Sequence, residues 1–174
     1  MSHVALLRGI NVGGKNKLPM AALRACFEAL GCEDVRTYIQ SGNVVFRAPS
    51  ALGLADAVTA RLRERHGLEV PVILRSADAL VQARDACPFR SEAPRSRQVM
   101  FRSTRPPAAK VVALDPDRSP GDRFAVLGRE IFLCCPNGVG RTKLTNAWFD
   151  RQLGVVSTAR NWRTLETLIE MALG

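Results

Sequence analysis

The sequence predicts an α+β protein in which one structural pattern is laid down twice. Short apolar or β-branched runs alternate with helical periodicity in the order β-α-β-β-α-β across residues 1–87. The order recurs as β-α-β-β-α across residues 88–174 and then ends in helix. Between the two, residues 88–97 hold Pro88, Ser91, Pro94, Ser96 and several arginines, the composition of an exposed linker. These observations predict two tandem subdomains. One spans 1–87, a βαββαβ unit plus a linking helix; the other spans 88–174, a βαββα unit with a terminal helix. The βαββαβ order is the split βαβ pattern of ferredoxin-like folds.

Each element has a local reason. Val4–Leu7 is a continuous apolar run of strand length. Met20, Leu23, Phe27 and Leu30 fall at helical spacing, with Pro19 at the start and Gly31 as the stop. Val35–Gln40 and Asn43–Phe46 are β-rich runs joined through Ser41-Gly42, which predicts a hairpin. Leu54, Val58 and Leu62 mark a second helix closed by Gly67. Val70–Leu74 supplies a fourth strand, and Pro71 biases it towards a sheet edge or its first residues. Ser76 caps a linking helix that Pro88 breaks. In the second half, Val99–Phe101 is a strand and Pro106–Leu114 a short helix. Phe124–Leu127 and Glu130–Leu133 form a hairpin across Gly128-Arg129. Leu144–Leu153 is a helix ended by Gly154, and Trp162–Leu173 is a C-terminal helix with Leu165, Leu168, Ile169 and Ala172 inward.

Composition narrows the function classes. Hydrophobic residues make up 47% of the 174, which suits a globular protein and excludes wholesale disorder. No apolar run approaches the roughly 18 to 20 residues of a membrane span. Met1-Ser2-His3 leads straight into a strand without signal-peptide architecture, so a cytoplasmic protein without a membrane partner is expected. Five cysteines with no Cys-x-x-Cys pair, and only two histidines, argue against a disulfide framework or a metal centre. Cys134 and Cys135 are neighbours in a strand and point to opposite faces, so all five are expected as thiols. Nothing calls for a cofactor, and a monomer is the expected state. The formal charge is +9, with 11 basic and 8 acidic side chains in residues 1–87 and 14 and 8 in residues 88–174. Such a surplus attracts polyanionic partners. It also fits a protein from an arginine-rich proteome, and composition does not separate the two.

Three polar clusters carry the candidate chemistry. The first runs through Arg8, Asn11, Gly13, Gly14, Lys15, Asn16 and Lys17, between the first strand and first helix. Gly9–Asn16 nearly matches the phosphate-loop pattern G-x-x-x-x-G-K-[ST], in which glycine-loop N–H groups cradle phosphate and lysine adds a charge. Asn16 stands where the metal-binding hydroxyl belongs, and the helix starts late, near Pro19. An ATPase is therefore disfavoured, while anion binding by the loop stays open. The second cluster, Gln40, Ser41 and Asn43, is either good turn chemistry or the wall of a pocket beside the first loop. The third, Arg141-Thr142-Lys143, opens a helix; it is either a capped helix start or an anion site at free N–H groups. Arg160-Asn161 begins the last helix in a similar way, with Asn161 as N-cap. No nucleophilic triad is visible, and no catalytic residue is assigned. His3 sits at a terminus, His66 at a helix end, and no carboxylate lies in the glycine loops.

Leu6–Gly14, Lys15-Asn16-Lys17, Thr37–Phe46, Arg141–Thr145 and Thr158–Trp162 together resemble the bacterial domain of unknown function 1697 family. The resemblance spans nearly the whole chain. It implies a cytoplasmic protein of two ferredoxin-like subdomains and implies no activity. The family commonly has Ser where this chain has Thr142 and Asn where it has Arg163, both mild departures.

The leading expectation is a binding module for nucleic acid or a phosphorylated ligand, working through basic glycine-rich loops drawn into one surface. The alternative is a small enzyme acting on a phosphate- or carboxylate-bearing metabolite. There Arg8, Lys15, Lys17, Arg141 and Lys143 would hold the anion, with Asn11, Gln40 and Asn43 as neutral partners. A third reading, a structural partner-binding protein, predicts an exposed apolar patch and no anion site.

Overall fold

The computed structural model describes residues Met1–Gly174. It is an α+β structure with two four-stranded antiparallel sheets and six helices. The first sheet uses β1 (Ser2–Leu7), β2 (Glu33–Tyr38), β3 (Asn43–Arg47) and β4 (Val72–Ser76) in the order β2-β3-β1-β4. The second uses β5 (Arg97–Arg102), β6 (Arg123–Leu127), β7 (Glu130–Cys134) and β8 (Ser157–Asn161) in the order β6-β7-β5-β8. The helices are α1 (Met20–Glu28), α2 (Leu54–His66), α3 (Ala77–Ala86), α4 (Ala108–Val112), α5 (Asn146–Leu153) and α6 (Trp162–Leu173). No helix is long and apolar enough to cross a membrane. The chain divides into two compact units: Met1–Val81 with Thr167–Gly174, and Gln82–Glu166.

In the first unit, β1 and β3 turn Ala5, Leu7, Val44 and Phe46 towards Leu23 and Phe27 of α1 and Val58 and Leu62 of α2. Phe27 and Phe46 meet at 5.1 Å between ring centres. Helix α2 buries Leu54, Val58 and Leu62, the four-residue spacing of one helix face, and ends at Gly67. The Gly67 N–H donates to Arg63 O and that of Leu68 to Leu62 O, closing the helix in a left-handed cap. Ser76 Oγ accepts from Ala79 N at 3.1 Å, capping α3 as its position predicts.

In the second unit, Met100, Ile131 and Leu133 pack against Leu144, Trp148, Phe149 and Leu153. Phe124, Trp148 and Phe149 meet edge to face. Arg102 is fully buried; its Nη2 donates to Gly128 O at 2.6 Å and its Nε to Arg129 O at 3.2 Å, pinning the β6–β7 turn. All five cysteines are buried thiols.

Two expectations need correction. The second half does not pass from α5 directly into the last helix: β8 intervenes and pairs with β5. Arg160 and Asn161 therefore end a strand, with α6 following at Trp162. Strand β8 was hidden because its buried side chains are polar: Ser157, Thr158 and Arg160 are at most 7% exposed. Hydrogen bonds offset their burial, among them Ser157 Oγ to Asp150 Oδ1 at 2.6 Å and Arg160 Nη1 to Thr158 Oγ1 at 2.8 Å. The β2–β3 connection is also longer than Ser41-Gly42. It takes residues 39–42, because Ile39 (φ 51°) and Gly42 (φ 86°) both leave extended geometry.

Candidate functional site

Because β1 is antiparallel to both neighbours, Leu7 faces Val72 and Leu6 faces Asn43. The exit of β1, the start of α1, the β2–β3 turn, the end of α2 and the start of β4 therefore share one end of the first unit. Backbone bonds tie that end together. Leu7 N donates to Gly42 O at 2.9 Å and Arg8 N to Pro71 O at 3.1 Å.

The loop that follows is a miniature hairpin. Gly13 (φ 57°) and Gly14 (φ 74°) are its two tip residues, and Lys15 N donates to Val12 O at 3.0 Å across them. Two successive left-handed residues are what the tightest hairpin turns require. Asn11 N donates to Asn16 O at 3.1 Å, and both asparagines have positive φ. The Asn11 side chain is the clamp. Its Nδ2 donates to Leu18 O at 3.0 Å and Gln40 O at 2.8 Å, while Oδ1 accepts from Leu18 N at 2.8 Å. Asn16 Nδ2 donates to Gly9 O at 2.9 Å. Lys15 and Lys17 stand exposed on this braced loop, with Arg8 half-buried at its base.

The phosphate-loop likeness fails on this geometry. The N–H groups of Asn11 and Lys15 are engaged within the loop, and α1 begins only at Met20, so no helix N-terminus backs the glycines. Hairpin turns and phosphate cradles share glycines because both need positive φ. Attraction of an anion here rests on ammonium groups.

Gln40 is exposed beside the loop. Asn43 is wholly buried, and its Nδ2 donates to Tyr38 O at 3.0 Å and Ser41 Oγ at 3.1 Å. Ser41 and Asn43 thus brace the turn, which is the bland reading of that cluster. The structure does bring the first two clusters together, through Asn11 and Gln40.

Sequence reasoning missed a second group of basic residues at the same end. Arg61, Arg65 and His66 of α2 face Ala22, Ala25 and Cys26 of α1 around a cavity of about 350 Å³. The missing signal was topological: antiparallel pairing carries the end of α2 back to the start of α1. Burial pushes the Cys26 thiol up, with the nearby Arg61 charge acting the other way, so Cys26 is a packing thiol. Arg63 pairs with Glu69, through Nη2 and Oε2 at 2.9 Å. The opposite end of the unit carries Glu28, Glu33, Asp34, Asp56 and Asp78, with Arg47 held by Asp34 at 2.5 Å. Charge in the first unit is biased along the strand direction, although Glu64 and Glu69 also lie at the cationic end and Arg47 at the acidic one.

Arg141, Thr142, Lys143, Arg160 and Asn161 belong to the second unit. Helix α5 begins at Asn146, with Thr145 Oγ1 accepting from Trp148 N at 3.2 Å. The N–H groups expected to be free near Thr142 are engaged. Lys143 N donates to Ser119 Oγ at 3.1 Å and Leu144 N to Thr142 Oγ1 at 3.1 Å. Arg141 and Lys143 remain exposed cations. Arg160 is buried, which lowers its pKa to about 10, and it serves the strand. Asn161 Oδ1 accepts from Thr164 N at 2.8 Å, the predicted cap of α6.

A family model described as a protein of unknown function, DUF1697, matches residues 1–132. No curated protein matches the chain. Among solved structures, a conserved bacterial protein from Streptococcus pneumoniae is similar with a TM-score of 0.75 and 24% sequence identity, over 98% of each chain. At that identity the likeness concerns the fold alone.

Proposed function

We propose, for a chain that belongs to the DUF1697 family of proteins of unknown function, that it binds the phosphate backbone of nucleic acid through the cationic end of its first unit. The observation that carries this reading is the charge bias there. Arg8, Lys15 and Lys17 share an end with Arg61, Arg65 and His66, while the unit's other end gathers carboxylates. Clustered cations on one face raise the local concentration of a polyanion and release its counterions on contact. The Asn11 clamp means that little loop entropy is lost on binding. Readout of bases by aromatic stacking is disfavoured. Phe46 is wholly buried against Phe27 and Tyr38 is half-buried, so contact runs through phosphates.

On this reading each unit is ferredoxin-like, a view its strand order supports, and the setting is the cytoplasm, which five thiols suit. A small phosphorylated metabolite, as ligand or substrate, is the competing occupant, and the cavity between α1 and α2 favours it.

Fluorescence anisotropy with labelled random-sequence DNA and RNA, across a salt series, tests the proposal. The logarithm of affinity should fall linearly with the logarithm of salt. Joint Lys15→Ala and Lys17→Ala replacement should weaken binding and reduce the slope by about 1 per lysine. Lys143→Ala tests the second unit's contribution. Absent or salt-independent binding overturns the proposal, and binding of small phosphates that oligonucleotides do not displace supports the competitor.

A further inference from the structure

The second unit contains a buried arginine beside a polar cavity. Arg97 opens β5, is 9% exposed, and its Nε is enclosed with no hydrogen-bond partner. Its guanidinium carbon lies 4.3 Å from the centre of the Trp162 ring. Arg97 and Trp162 line a strongly polar cavity of about 190 Å³ with Arg84, Asp85, Arg90 and Glu166.

The two carboxylates of this cavity are bonded to wall residues other than Arg97. Asp85 Oδ1 accepts from Arg84 Nε at 2.8 Å, and Glu166 Oε1 accepts from Trp162 Nε1 at 3.1 Å. Three guanidinium groups against two carboxylates leave the cavity net positive. A buried guanidinium nitrogen without a hydrogen-bond partner, such as Arg97 Nε, carries an uncompensated desolvation cost. The indole supports the guanidinium by cation–π contact and leaves its remaining N–H donors suited to an oxyanion. Trp162 is also the first residue of the twelve-residue α6, capped by Asn161, so the positive end of that helix forms part of the wall.

We infer that the Arg97–Trp162 cavity binds a small oxyanion, a phosphate ion or the phosphate group of a monoester. Its size favours a single such group, since pockets for larger ligands begin near about 300 Å³. The inference stands apart from the nucleic-acid reading: it uses none of the loop lysines and a different unit of the chain.

Titration of the full chain with inorganic phosphate at constant ionic strength tests it, by calorimetry and by the shift in melting temperature. Saturable binding and a rise in melting temperature are expected. Arg97→Met should abolish both, and Arg90→Gln, at an exposed position, should weaken binding about tenfold. The Lys15→Ala, Lys17→Ala protein should bind phosphate as the parent does. Should Arg97→Met fail to fold, Arg90→Gln decides. No saturable binding, or equal binding by the parent and Arg90→Gln, overturns the inference. Phosphate binding lost only with the loop lysines overturns it too and moves the site to the first unit.

Discussion

The two lysine-bearing loops look alike in sequence and occupy non-equivalent places in a repeated topology. The Lys15 loop joins the first strand of its unit to the first helix; the Lys143 loop joins β7, the third strand of its unit, to α5. The segment of the second unit that matches the Lys15 loop is Ser103–Pro107, which has no glycine. A repeated scaffold has therefore not repeated its candidate site. The glycines also do different work. Gly42, which supports the first loop, has φ 86° and faces Leu7 and Ile10 so closely that an added Cβ would lie 2.8 Å from each. Gly138 has the same φ of 86° with open space around it.

That contrast can be broken by substitution. Gly42→Ala meets both strain and collision and should cost about 3 kcal/mol, whereas Gly138→Ala meets strain alone and should cost about 1 kcal/mol. Urea unfolding of the two variants measures the difference, and equal losses would remove the contrast. Asn11→Ala deletes three hydrogen bonds and places alanine at positive φ, for an expected loss of about 2 kcal/mol. Thr145→Ala removes one helix cap in the second unit and should cost about 1 kcal/mol. The smallest effect concerns pH. Burial pushes His3 below its ordinary value of 6.5, opposed by a hydrogen bond to the Ala48 backbone. The unfolded chain therefore takes up a proton that the folded one resists. The stability is fully present above pH 6.5 and is lost as pH falls below it, towards the folded pKa. Both histidines lie in the first unit, so native-state hydrogen exchange should show this loss there and not in the second. His3→Gln should abolish it.

What the sequence disclosed follows from how each element is stabilised. Helix α2 and the β6–β7 hairpin were legible because Leu54, Val58 and Leu62, and the turn at Gly128-Arg129, have local reasons to be where they are. Strand β8 was not, since Ser157, Thr158 and Arg160 are made buriable by partners elsewhere in the fold. The Lys15 loop was visible as a glycine-rich polar segment, but its hairpin form depends on Asn11 reaching Leu18 and Gln40. Arg61 and Arg65 sit at helical i, i+4 spacing, but their place beside the Lys15 loop depends on topology, and the Arg97–Trp162 pair meets only because β5 and β8 run antiparallel.

Residues Thr167–Gly174 belong to the first unit, and Arg36 Nη2 donates to Met171 O at 2.6 Å. Translation therefore makes the whole of Gln82–Glu166 before Thr167–Gly174 can reach Arg36. The first unit's core, drawn from residues between Ala5 and Val70, does not use that segment, so the Arg36–Met171 bond is a late addition to a core that can already pack.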